Sequence, residues 1–234
     1  MPIFKTGKTH FTTIILIFVS SFTHSQSKEI NIKFLGNCGL YITDGTTHIY
    51  TDFPYKSGAH GYMEFDSTEL DSIKHNSIFI FTHKHSDHYS KKHLNKILKE
   101  KGGQKYGVSN ISELENLNNS LDNFEIKAFK TTHKVFGISF RHYSYLITWH
   151  GKRIYLSGDT TNPETIGKIK NMDWAFVPYW ILLNAKEQEI EIDSKMLGVY
   201  HLYPEQIPSA NKKWSNIDSI QPMTEQGEKI TIKL

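Results

Sequence analysis

FTHKHSDHYS, residues 81–90, places His83, His85, Asp87 and His88 within six residues. It follows SIFIF (77–81), a continuous apolar run of β-branched and aromatic residues that predicts a buried strand. It leads into SKKHLNKILKEKGG (90–103), where Leu94, Ile97 and Leu98 recur at helical spacing and Gly102 supplies a stop. The side chains with chemistry to offer therefore stand where a strand hands over to a helix. Residues two apart on an extended segment point the same way, so His83 and His85 can converge on one cation. Asp87 and His88 fall where the chain turns and face a second cation beside the first. Imidazole with carboxylate is borderline ligand chemistry that suits Zn2+ and also admits iron or manganese.

Outward from this stretch, EINIKFLG (29–36), LYITDG (40–45) and TTHIYTDF (46–53) predict three short strands, with Asp44-Gly45 as turn chemistry. FPYKSGAHGYMEFD (53–66) is rich in glycine and aromatics and reads as a long loop. Downstream, FEIKAF (124–129), ISFRHYSYLITW (138–149) and KRIYLSGD (152–159) predict strands. The alternation in the second of these changes phase near Arg141-His142, which fits either a bulge or an edge with two wet faces. Thr161-Asn162-Pro163-Glu164 predicts a helix start. DWAFVPYW (173–180) predicts a buried strand, PEQIPSANKKW (204–214) a short helix or turn, and KITIKL (229–234) a closing strand. The second half repeats the first, so the expectation is one domain with two sheets of similar make-up and interspersed helices.

Three more ligand-type residues stand near the ends of later strands: His133 in FKTTHKV, Asp159 in the Gly-Asp-Thr turn of KRIYLSGDT, and His201 in GVYHLYPEQ. Each alone is a weak signal; as a set at successive strand ends they are a strong one. The two carboxylate oxygens of Asp159 suit a bridge between cations. His142 competes with His133, which is preferred because it directly follows a predicted strand. Cys38, the only thiol, reads as a small buried residue beside the opening strand. Phe53, Tyr55, Tyr62, Tyr179 and Trp180, in the segments 53–65 and 177–184, are either packing residues or the wall of a pocket for a partly apolar small ligand. His48, His60, His75 and His93 read as surface or supporting groups.

With 234 residues, 38% apolar and 22% charged, the chain is neither a disordered polar polymer nor a collagen-like repeat, and one Cys excludes a disulfide scaffold. Residues 1–10 carry Lys5 and Lys8 and no acid, FTTIILIFVSSF (11–22) is apolar, and small residues follow. That pattern predicts a secretory signal peptide over 1–25, a mature domain over 26–234, and export to the periplasm or beyond. The apolar run is shorter than the roughly 20 residues of a membrane span, so no stable insertion is expected after cleavage. A net charge of +3, two of whose lysines lie in the leader, and only two arginines, Arg141 and Arg153, argue against a nucleic-acid partner. The partner expected is a small-molecule substrate.

THKHSDH resembles the HxHxDH signature of the metallo-β-lactamase superfamily. FLGNCGLYI is similar to that family's opening strand pair, YTDFPY to its strand ending in Asp, HYSYLITWHGKRIYLSGDT to its segment closing in GDT, and HLYPEQ to its last metal-binding His. The likeness runs in order over roughly 30–230. It implies an α+β fold, a four-layer αβ/βα sandwich, with a dinuclear zinc centre at one edge. It also implies His83, His85 and His133 on the first metal, Asp87, His88 and His201 on the second, and Asp159 between them. The TTH context of His133 matches the family better than His142 does. The activity implied is hydrolysis by a hydroxide shared between the metals, with Asp87 or Asp159 managing the proton. Zinc β-lactamases often use a Cys, or lack the acid, where this chain has Asp159. GDT and HLYPEQ look more like the lactonase and phosphodiesterase branches, including L-ascorbate-6-phosphate lactonase-like proteins. An ester, lactone or phosphodiester is therefore the expected substrate, with a β-lactam hydrolase and a non-catalytic ligand-binding module as alternatives.

Overall fold

The computed structural model describes residues 29–135 and 137–234; the leader expected over 1–25 lies outside the described residues. Strands β1 (Glu29–Gly36), β2 (Gly39–Thr43) and β3 (His48–Thr51) pair antiparallel in sequence. The chain then crosses over through helix α1 (Thr68–Ser72) to β4 (Ile78–Ile80) and through α2 (Lys91–Lys101) to β5 (Gln104–Tyr106), both added parallel. The second half repeats this plan. Strands β6 (Phe124–Val135), β7 (Ile138–Trp149) and β8 (Lys152–Leu156) form an antiparallel meander. Helices α3 (Glu164–Gly167) and α4 (Tyr179–Glu187) lead to parallel β9 (Met172–Pro178) and β10 (Ser194–Tyr200). Helix α5 (Ile207–Trp214) leads to β11 (Ile220–Pro222), parallel to β10, and β12 (Lys229–Lys233) returns to pair antiparallel with β1. The result is two six-stranded mixed sheets, β12-β1-β2-β3-β4-β5 and β11-β10-β9-β8-β7-β6.

The period-2 alternation of the strands decides the layers. Tyr145, Ile147 and Trp149 of β7, with Trp174 and Phe176 of β9, face the first sheet and meet Ile30, Ile32, Leu40 and Ile42. Their neighbours Leu146, Ala175 and Val177 point the other way, onto Ile166 of α3 and Ile181 of α4. Leu94 and Ile97 of α2 cover the outer face of the first sheet against Tyr50 and Phe79. Ala210 and Trp214 of α5 cover Val199 of β10. Helix, sheet, sheet, helix is the predicted four-layer α+β sandwich. Helix α2 starts where the Ser90 hydroxyl accepts from the His93 amide, and it stops at Gly102, whose φ of 70° suits glycine.

Two local expectations change. The strand read as 124–129 continues to Val135, and it pairs residue for residue with β7 from Phe124–Trp149 to Val135–Ile138. There is no bulge at Arg141-His142. Strand β8 first pairs with β7 at Tyr145, so the far part of the hairpin is a two-stranded arm outside the sandwich. Ile138–Arg141 at its end are exposed, and the phase change marks two wet faces. The strand read as 173–180 is shorter at its end: Pro178 ends β9, and α4 follows with Ile181 and Ala185 buried one turn apart.

Trp149 is almost fully buried between the sheets, edge-on to Phe124 at 5.7 Å. Trp149→Ala is expected to destabilise the fold by about 3–5 kcal/mol, measured as a lower urea midpoint with an unchanged m-value.

Candidate metal centre

The carboxyl ends of β3, β4, β8 and β10 open at one edge of the sandwich, the usual place for a site where parallel strands end. Asp52 follows β3 in a left-handed conformation, φ 46°. Its buried carboxylate accepts from the Thr82 amide at 2.8 Å, the Thr82 hydroxyl at 2.7 Å and His88 Nδ1 at 2.9 Å. A carboxylate on Nδ1 sets the proton there and leaves Nε2 of His88 free. In the turn between β1 and β2, Asn37 ties three loops together. Its carbonyl accepts from the His201 amide at 3.0 Å, its Nδ2 donates to the Asp87 carbonyl at 3.1 Å, and its Oδ1 accepts from the Met63 amide at 3.0 Å. The loop after β8 is stapled to the β6–β7 arm, because the Thr132 carbonyl accepts from the Thr160 hydroxyl at 2.8 Å and the Thr161 amide at 3.0 Å.

These restraints gather two sets of groups. His83, His85, His133 and Asp159 each offer a ligand atom within 4.8 Å of the others, and His133 Nε2 lies 3.1 Å from His85 Nδ1. In the second set, His88 Nε2 and His201 Nε2 are 2.9 Å apart, and Asp87 Oδ2 is 3.5 Å from each. Asp159 Oδ2 stands between the sets, 3.2 Å from His133 Nδ1, 3.6 Å from His83 Nε2 and 3.7 Å from His88 Nε2. His83 Nε2, Asp87 Oδ1 and Asp159 Oδ1 are buried with no hydrogen-bond partner among the described residues. Buried polar atoms left this way are costly. Divalent cations satisfy them, and nitrogen with oxygen donors is a suitable set.

For four of the five imidazoles in the two sets the electrostatics agree. Burial holds His83 well below the usual imidazole range and lowers His85 and His133. Burial and the adjacent His88 bring His201 down to about 3. These rings are therefore neutral at pH 7, the form that binds metal. Burial alone would raise Asp159, but His83, His88 and His142 hold it well below the usual carboxylate range. Burial opposes charge on His88, yet Cys38, Asp159 and Asp52 around it outweigh that and raise it well above the ordinary value.

All seven residues read as ligands from the sequence, His83, His85, Asp87, His88, His133, Asp159 and His201, meet at this edge. His133 does so from within β6 rather than beyond a strand end, because the arm carries the strand past the sheet. His142 sits behind the first set, with Nε2 3.2 Å from Asp159 Oδ1 and Nδ1 2.6 Å from the Thr131 hydroxyl. Of the candidate wall aromatics, the Tyr62 ring is 4.1 Å from His201 and stacks on Tyr203, and Trp180 lies 5.4 Å from His201. Phe53 and Tyr55 are instead core residues under α2, and Tyr179 packs beside α5. Sequence reasoning found the strand that ends in Asp52 but gave that acid no role at the site, and it missed Phe140, whose ring is 4.5 Å from His85. It also missed the place of Cys38, which is buried as expected but lies against His88 and His201.

Comparison with known proteins gives a match between residues 31–187 and the Beta-lactamase superfamily domain. The sequence matches no curated protein. In three dimensions the chain is similar to Igni18, a metallo hydrolase from the archaeon Ignicoccus hospitalis, with a TM-score of 0.63 and 16% identity over 88% of this chain and 99% of that one. A protein of Parabacteroides distasonis, provisionally called a metal-dependent hydrolase, gives a TM-score of 0.61 and 22% identity over 85% of this chain and 94% of that one. CmlA, a diiron beta-hydroxylase of Streptomyces venezuelae, gives a TM-score of 0.54 and 13% identity over 88% of this chain and 54% of that one. At such identities the likeness is one of fold.

Removing the Asp52 carboxylate frees His88 to rotate. Asp52→Ala is expected to weaken divalent-cation binding roughly 10–100-fold, measured by titration calorimetry on protein with an unchanged circular dichroism spectrum.

Proposed function

The chain belongs to the β-lactamase superfamily, and on that premise we propose that it is a metal-dependent hydrolase that holds two zinc ions and cleaves an ester, lactone or phosphodiester bond in a small substrate. The observation that carries this reading is the position of Asp159 Oδ2, within 3.7 Å of imidazole nitrogens from both sets. His83, His85 and His133 would hold the first ion and Asp87, His88 and His201 the second, with Asp159 placed to serve both. When bound, such a pair supplies an activated water near neutral pH and polarises the scissile oxygen. The protein supplies the rest. Asp52 and Asn37 hold His88 and His201 in place, and His142 approaches Asp159 from behind. Among the described residues Asp87 Oδ1 has no hydrogen-bond partner, which leaves that carboxylate oxygen able to accept a proton during turnover. Tyr62, Tyr203 and Trp180 flank one side of the centre and Phe140 the other, so an apolar part of a substrate can pack there and exclude water.

Lys5, Lys8 and the apolar run 11–22 support export with loss of the leader. Amino-terminal sequencing of the secreted chain is expected to begin near Gln26.

Metal analysis of purified protein is expected to give two zinc per chain. A panel of chromogenic esters, lactones and phosphodiesters is expected to include a substrate. His85→Ala and Asp159→Ala should cut its turnover at least about 100-fold, beyond what loss of a supporting residue costs. Folded protein that binds no divalent metal would overturn the proposal, and iron in place of zinc would overturn the choice of metal.

A further inference from the structure

We propose that Cys38 is a sulfur ligand of the second cation site, completing it with Asp87, His88 and His201; this rests on the two-cation reading above. The turn that carries Cys38 is held at the site from three sides. Asn37, its neighbour, receives the His201 amide at 3.0 Å, donates to the Asp87 carbonyl at 3.1 Å and accepts the Met63 amide at 3.0 Å. Gly39, on the other side, leaves little slack, since a Cβ there would lie 2.9 Å from the Gly36 carbonyl. The bonds that bring His201 and the Asp87 loop to the centre therefore bring residue 38 to it as well. Cys38 Sγ lies within 4.8 Å of a ligand atom of His88 and of His201. One side of Cys38 closes the core between the sheets; the other faces two imidazoles.

An independent observation points to a ligand at the same spot. Asp87 is buried and its Oδ1 has no hydrogen-bond partner among the described residues, while its Oδ2 is 3.5 Å from both His88 Nε2 and His201 Nε2. An apolar filler at residue 38 would leave that carboxylate and imidazole pair one donor poorer. Ligation needs no oxidant: the S–H bond breaks, its proton leaves to solvent, and the sulfur lone pair forms the bond to the cation. The two sites then differ in kind. The first offers nitrogen and oxygen only, and the second adds a soft thiolate, which favours zinc over manganese.

Cobalt is the probe, because a cobalt–thiolate bond has a charge-transfer band in the near ultraviolet that imidazole and carboxylate ligands do not give. Chelator-treated full-length protein is loaded with Co2+ and its bound cobalt counted. Two bound ions with the near-ultraviolet band are the expected result. Loss of that band in Cys38→Ser and Cys38→Ala, with the visible bands retained, would complete the assignment. Cys38 is the only thiol, so the wild-type band identifies it even where a variant fails to fold. Two bound ions without the band would overturn the sulfur ligand and leave the two-cation reading standing. Folded protein that binds no Co2+ would overturn both.

Discussion

Asp159 has to enter a ring of imidazoles from a turn that only glycine can make. Gly158 adopts φ 60°, and a Cβ there would lie 2.5 Å from His142 Nε2 and 2.8 Å from Thr82 Cβ. The absence of a side chain lets β8 end hard against the loop after β4, so that one carboxylate meets histidines from several separate segments. Everything else at this edge is arranged around it. His142 comes from behind, His133 from the arm, and His83 and His88 from the loop below. A residue larger than glycine at 158 would separate the second half of the chain from the first where they share the site.

Buried ionisable groups are tolerable only when their partners are fixed, since a buried charge missing its partner is far more costly than an exposed one. The fixing is done here by backbone groups and by residues that take unusual conformations. Asp52, Asn37 and His201 are non-glycine residues with φ of 46°, 53° and 58°. Such strain, of order 1–3 kcal/mol each, persists when the surroundings over-determine it and collects at functional sites. Each of the three makes a bond that spans distant segments: Asp52 to Thr82 and His88, Asn37 to Asp87 and Met63, and the His201 amide to Asn37.

What could be read from the sequence follows from the range of each interaction. His83, His85, Asp87 and His88 were visible because strand and helix periodicities flank them within a few residues, so local geometry alone suggests convergence. The repeated sheet and the helix over 91–101 were legible for the same reason. The length of β6 was not, because an arm that leaves the sheet is defined by where β8 stops pairing. Residues 130–135 have no apolar alternation to announce it. Helix α4 was hidden because YWILL is as apolar as the strand before it, and only the following Asn184-Ala185-Lys186-Glu187 reads as helix. The roles of Asp52 and Cys38 at the site stayed hidden because their partners are far along the chain. His88 is 36 residues from Asp52, and no spacing rule connects them.

The division of the site between the halves has an energetic consequence. The first half provides Cys38, Asp52 and residues 83–88; the second provides His133, His142, Asp159 and His201. No ligand set is complete within either sheet, so a cation held by both sets binds only when the two sheets are packed face to face. Binding confined to the folded state adds to its stability by mass action, by about 2.7 kcal/mol when free ligand is 100 times its dissociation constant. Without that cation, the imidazole pair at 2.9 Å and the orphaned carboxylate oxygens become a local liability at the edge where the two halves meet. The core between the sheets is built mainly from Ile, Leu, Phe, Tyr and Trp and meets the site at Cys38. The chemistry therefore sits on a scaffold able to hold it open, while a bound cation would tie the halves together where that core ends.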